Sequence, residues 1–139
     1  MKQTIEIKIL SEPKFLKIVR AAVSHVTEIM GFPQDEINNI TLAVDEACSN
    51  IIKHAYGGQS DQPIRVLLQL YDDRLEVILK DVGKKVAADD IKSRDLDDLR
   101  PGGLGVHLIR SVMDVVNYNI RSTKGNRLQL VKFLRRKGS

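Results

Sequence analysis

The segment DEACSNIIKHAY, running from Asp45 to Tyr56, carries a carboxylate, an amide and an imidazole four residues apart, at Glu46, Asn50 and His54. On an α-helix that spacing makes Glu46 and Asn50 neighbours on one face, with His54 somewhat further around it. A carboxylate placed there can accept a proton or orient a water. An amide oxygen suits magnesium, which prefers oxygen ligands and retains several waters, so one amide plus phosphate oxygens is a sufficient set. The row also has an ordinary account as a partly solvated helix flank, satisfied by water and local backbone.

Two further stretches have comparable potential. In LKDVG, Asp81 stands where a strand ends, and an acceptor-only carboxylate in that position can receive the exocyclic amine of adenine. Gly83 would let the backbone approach a base closely. Alone, Asp-x-Gly is a common turn. In RPGGLGVHLI, Gly102, Gly103 and Gly105 lead straight into a helix, where exposed amides and the positive dipole end favour phosphate. The pattern is neither GxGxxG nor Gly-Lys-Ser/Thr, which disfavours the Rossmann and P-loop readings.

The elements that must position these residues follow from periodicity. TIEIKI alternates with period two and reads as a strand with Ile5, Ile7 and Ile9 on one face. Ser11 reads as a helix N-cap, with Glu12 and Pro13 in the first turn and Gly31 as the C-terminal stop. Pro33, Asp35 and Glu36 open a second helix. Its stripe Ile37, Ile40, Ala43, Val44, Ala47 and Ile51 ends near Gly57 and Gly58. PIRVLLQL and RLEVILK read as a hairpin around Tyr71, Asp72 and Asp73. From Asp81 to Pro101 the pattern is lost, as in a long functional loop. Helical spacing returns through Leu104, Leu108, Ile109, Val112, Met113 and Val116. NYNIRS and RLQLVKFL, joined by a turn at Thr123 to Asn126, close the chain. The expected fold class is an α/β two-layer sandwich, a mixed, mainly antiparallel sheet with three helices on one face.

Composition bounds the function. The chain has 139 residues, 42% hydrophobic, which suits one domain spanning residues 1–139. No apolar run is long enough to cross a membrane, and no signal-peptide pattern opens the chain, so a cytoplasmic protein with no membrane partner is expected. A single cysteine, Cys48, excludes an internal disulfide framework and a multi-cysteine zinc site. The net charge of +4 is uneven: five aspartates fall between Asp89 and Asp98, while Arg121 to Lys137 is basic. Aromatic residues make up only 4% and do not interleave that basic end, which argues against direct nucleic-acid binding.

Taken together and in order, Glu-x-x-x-Asn on a helix, Asp-x-Gly after a hairpin strand, a long loop and Gly-x-Gly opening a helix resemble the GHKL-type ATP-binding fold. That Bergerat-type fold is shared by gyrase, a heat-shock chaperone, sensor histidine kinases and the mismatch-repair protein MutL. The resemblance covers nearly the whole chain. It is strongest to the small serine/threonine kinases that act as bacterial anti-sigma factors: EACSNIIKHAY is similar to their N-box, DVG to their adenine-contact box, and GGLGVHLIRSVMD to their glycine box and following helix. The resemblance implies ATP and magnesium as cofactors, with Glu46 as catalytic base, Asn50 as magnesium ligand, and Asp81 and Gly83 at the adenine. It also implies Gly103 and Gly105 as the phosphate cradle, with Leu104 between them in the nucleotide site, and an ATP lid over about residues 84–101. Lys53 and Arg100 are candidates to reach phosphate, and His54 has a supporting place. The implied partners are a STAS-type antagonist, phosphorylated on serine or threonine, and a sigma factor, with a homodimer as the common assembly. The competing reading is a non-catalytic, nucleotide-dependent binding module. Two departures stand out: Lys84 and Lys85 follow Gly83 where the family often has another glycine, and Gly125-Asn126 stands where many members carry Gly-Thr, which removes a hydroxyl contact.

Overall fold

A computed structural model describes residues 2–85, 105–118 and 124–135. Strand β1 (Gln3–Leu10) leads through a 3-10 turn (Pro13–Phe15) into α1 (Leu16–Met30), followed by α2 (Gln34–Asn50). Strands β2 (Pro63–Leu70) and β3 (Arg74–Asp81) form the hairpin expected around Tyr71 to Asp73. Helix α3 (Gly105–Val112), β4 (Val115–Tyr118) and β5 (Asn126–Phe133) complete the described elements. The strands run in the order β1-β2-β3-β5-β4, and the sheet expected to be mainly antiparallel is antiparallel at every described pairing.

Period-two alternation explains which face is covered. Ile64, Val66 and Leu68 on β2, Leu75, Val77 and Leu79 on β3, and Leu128 and Leu130 on β5 are all buried in one cluster. That cluster also takes in Val19, Val23 and Val26 from α1, Ile40, Ala43, Val44 and Ala47 from α2, and Ile109 from α3. The register places Asp81 opposite Ile64 and Asn126, so it lies on the same helix-facing side as Leu79, two residues earlier. The period that builds the core thus also points a carboxylate into it.

Three local expectations change. Ser11 does not cap a helix; it is fully buried, and its hydroxyl donates to the Gln59 carbonyl and accepts from the Gln62 amide at 3.1 Å. It ties the start of α1 to the loop before β2. Val116 belongs to β4, because the third helix stops at Val112. The Asp114 amide donates to the Val131 carbonyl at 2.8 Å, and its Oδ2 accepts the Phe133 amide at 2.8 Å, which commits the chain to the sheet.

The largest difference lies beyond Asn50. The second helix continues as a π-helical turn over Ile51–Ala55, in which the Tyr56 amide reaches back five residues to the Ile51 carbonyl at 3.0 Å. The wider coil changes the phase at which later side chains leave the axis. Lys53 is exposed and His54 half-buried, so the four-residue row does not continue past Asn50 in the α-helical register. Gly57 and Gly58, with φ of 58° and 87°, then turn the chain away as their spacing predicted.

Candidate functional site

Asn50 and Asp81 meet in one pocket, which the pleat of β3 and the last turn of α2 form between them. Its walls are Ala47, Asn50, Ile51, Ala55, Leu79, Asp81, Tyr118, Asn126 and Leu128. It contains about 390 Å³ of unfilled space, counting the part continuous with solvent. Most of these side chains are apolar, and the carboxylate of Asp81, the amides of Asn50 and Asn126 and the phenol of Tyr118 sit among them. A slot with apolar sides and a few convergent polar atoms suits a flat heterocycle.

The hydrogen bonds within the site are incomplete in a specific way. Asp81 Oδ1 accepts from the Gly83 amide and from Asn126 Nδ2, both at 2.9 Å. Its Oδ2 is buried without a hydrogen-bond partner, as are both Oδ1 and Nδ2 of Asn50. Asn50 is only 7% exposed and Asp81 5%. Buried polar atoms are nearly always satisfied, and each orphan costs about 1–3 kcal/mol, so three of them on two residues lining one pocket leave hydrogen-bonding capacity that a ligand could take up. Burial holds the Asp81 carboxyl above its ordinary pKa, only partly offset by the donors from Asn126 and Gly83 and by the charge of Lys85.

The backbone around Asp81 is fixed by close contacts. The Tyr56 hydroxyl accepts from the Val82 amide at 2.9 Å and donates to the Pro63 carbonyl, joining the π-turn to β2 and to the exit of β3. The Lys84 amide donates to the Ala55 carbonyl at 2.8 Å. A Cβ at Gly83 would lie 2.5 Å from that carbonyl oxygen, so the close approach Gly83 permits here is to the end of the helix. Gly125, at φ 64°, has no room for a Cβ against the Asp81 carbonyl.

Of the residues singled out from sequence, Asn50 and Asp81 share the pocket, and Gly83 borders it through its bond to Asp81. Glu46 is half-buried one turn before Asn50, and neither it nor Lys53 lines the pocket. Gly105 begins α3. Arg100, Gly103 and Leu104, with most of the expected lid, lie outside the described residues. Sequence reasoning missed Tyr56, Tyr118 and Asn126 as parts of the site. Asn126 was noted only for the hydroxyl it lacks, whereas its side chain bonds to both Asp81 and the Lys84 carbonyl, the latter at 2.7 Å. The signal for Asn126 was the ladder itself, since it pairs directly with Asp81. Among the described residues no cluster of three His, Cys, Asp or Glu side chains could hold a metal.

This fold and this pocket define a nucleotide-binding ATPase domain: residues 9–132 match the histidine kinase-like ATPase domain family, and the chain belongs to it. Within that family it is similar to proteins named serine-protein kinase RsbW. It is 37% identical to the one from Bacillus velezensis, over 94% of this chain and 85% of that protein. It is 35% identical to the one from Halalkalibacterium halodurans, over 96% and 85%, and 34% identical to the one from Bacillus subtilis, over 94% and 85%. Its fold is also that of a chain in the crystal structure of the SiaB-SiaC complex from Pseudomonas aeruginosa. The TM-score there is 0.60, with 94% of this chain and 88% of that chain covered at 14% identity.

Proposed function

We propose that the chain is an ATP-dependent protein serine/threonine kinase that acts as an anti-sigma factor, phosphorylating a STAS-type antagonist in a partner-switching pathway. The observation that carries the nucleotide part is the set of three unsatisfied buried polar atoms, on Asn50 and Asp81, in one apolar slot. Asp81 Oδ2 is an acceptor without a donor, which suits the exocyclic amine of adenine. Asn50 Oδ1 is a hard oxygen suited to magnesium, and its Nδ2 is a donor suited to a phosphate oxygen. Magnesium bound there would neutralise charge on the transferring phosphoryl group.

Glu46, one turn before Asn50, is the proposed base that takes the proton of the substrate hydroxyl. Lys53 and Arg100 are proposed to reach phosphate, with Gly103, Leu104 and Gly105 as its cradle, the last of which begins α3. The similarity to serine-protein kinases named RsbW supports the phosphoryl acceptor class. The sigma factor as second partner, a homodimer and a cytoplasmic location complete the proposal, resting on the motif resemblance. No helix among the described residues is long and apolar enough to cross a membrane.

The test is transfer of labelled phosphate from ATP, with magnesium, to a candidate STAS-domain partner. Wild type should label the partner and Glu46→Ala should lose that labelling while still binding ATP. Unchanged transfer by Glu46→Ala would remove Glu46 as the base. ATP binding without transfer by wild type would leave a non-catalytic binding module.

A further inference from the structure

We infer that Asn126 is a positioning residue that sets base specificity, by holding the Asp81 carboxylate so that only its Oδ2 edge meets the nucleotide base. The inference rests on the ATP-binding reading above. It starts from the two hydrogens of the Asn126 side-chain amide, which go to different acceptors: Asp81 Oδ1 at 2.9 Å and the Lys84 carbonyl at 2.7 Å. A hydroxyl has one hydrogen to donate and could satisfy only one of them. An amide is therefore the group that ties both the carboxylate and the strand exit to β5.

The consequence for Asp81 is directional. The Asn126 side chain and the Gly83 amide both donate to Oδ1 and so hinder rotation of the carboxylate, while Oδ2 is buried with no hydrogen-bond partner. A purine with an amine at its sixth position meets that oxygen as donor to acceptor. A purine with a carbonyl there would set oxygen against oxygen, and a site with a buried unpaired polar atom rejects such a ligand strongly. Rejection depends on rigidity, because a carboxylate free to swing aside relieves the clash. Asn126 reaches Asp81 because Gly125 lets the backbone of β5 start in contact with the end of β3.

Binding of ATP and of inosine triphosphate, measured by calorimetry on the full chain, tests this. Wild type should prefer ATP. Asn126→Ala should lower the ATP-to-ITP affinity ratio about tenfold or more, the scale of one lost charge-assisted hydrogen bond. Asn126→Asp keeps the shape but turns an acceptor toward Asp81, and it should lower the ratio as well, which covers the case of an alanine variant that fails to fold. Asn126→Thr, with one donor, should fall between Ala and wild type. A purely structural role would lower the melting temperature of these variants and leave the ratio alone; an unchanged ratio in Ala or Asp overturns the inference. Wild type binding both nucleotides equally would also overturn it while sparing the kinase reading, whereas wild type binding neither removes the nucleotide reading itself.

Discussion

At the scale of residues, the site combines buried polar groups that have no hydrogen-bond partner within the fold. Asn50→Leu, similar in size and without polar atoms, should stabilise the nucleotide-free protein by about 1–3 kcal/mol in denaturant unfolding, because two buried orphans disappear, and should abolish magnesium-dependent ATP binding. Asp81 gives a pH signature. Its folded pKa is raised by burial, so its contribution to stability is fully present below the unfolded carboxylate pKa and is lost as pH rises through the folded value. Asp81→Asn should therefore gain stability relative to wild type as pH rises across that window. Nucleotide runs the opposite way: with Oδ1 taken by two donors, a proton on the carboxyl would sit on Oδ2 and set a donor against the amine, so ATP affinity of wild type should fall as pH drops through the same range. Titration calorimetry at several pH values checks both signs. Cys48 is buried in α2, and burial, then the nearby Asp45 charge, pushes its thiol up to about 12. A thiol-specific reagent should label it only after unfolding.

At the scale of elements, the junction of α2 with β3 decides the geometry of the pocket. The π-turn ends α2 so that the Ala55 carbonyl is available to the Lys84 amide and Tyr56 can reach Val82 and Pro63. Tyr56→Phe leaves the Val82 amide without its acceptor. It should cost about 1–3 kcal/mol, seen as a lower denaturant midpoint, and should weaken ATP binding because Val82 adjoins Asp81. This is also where legibility from sequence divides. The β2-β3 hairpin, the amphipathic helices and the Gly31 stop were readable because each depends on a local period or a nearby turn residue. The π-turn was not, since nothing in IIKHA distinguishes a five-residue backbone bond from a four-residue one. Ser11 was misread because its partners, Gln59 and Gln62, are distant in sequence. The pairing of Asp81 with Asn126 required knowing that β5 inserts beside β3, a fact of topology that no local pattern contains.

At the scale of the whole molecule, the pocket is closed on one side by α2 and on the other by β3 and β5, so a bound nucleotide would bridge the helical layer and the sheet. Ligand at about a hundred times its dissociation constant should stabilise the fold by about 2.7 kcal/mol, a rise in melting temperature that Asp81→Ala should lose. The core supporting those layers is conventional and was foreseen from the apolar stripes. What positions the chemistry within it is less so, and Gly125 shows why. Packed against the Asp81 carbonyl, it tolerates no side chain, yet it brings no functional group to the reaction. In a library of random variants selected for activity, position 125 would be as invariant as position 81, and the survivors alone would not reveal which of the two is proposed to meet the nucleotide base and which only makes room for it.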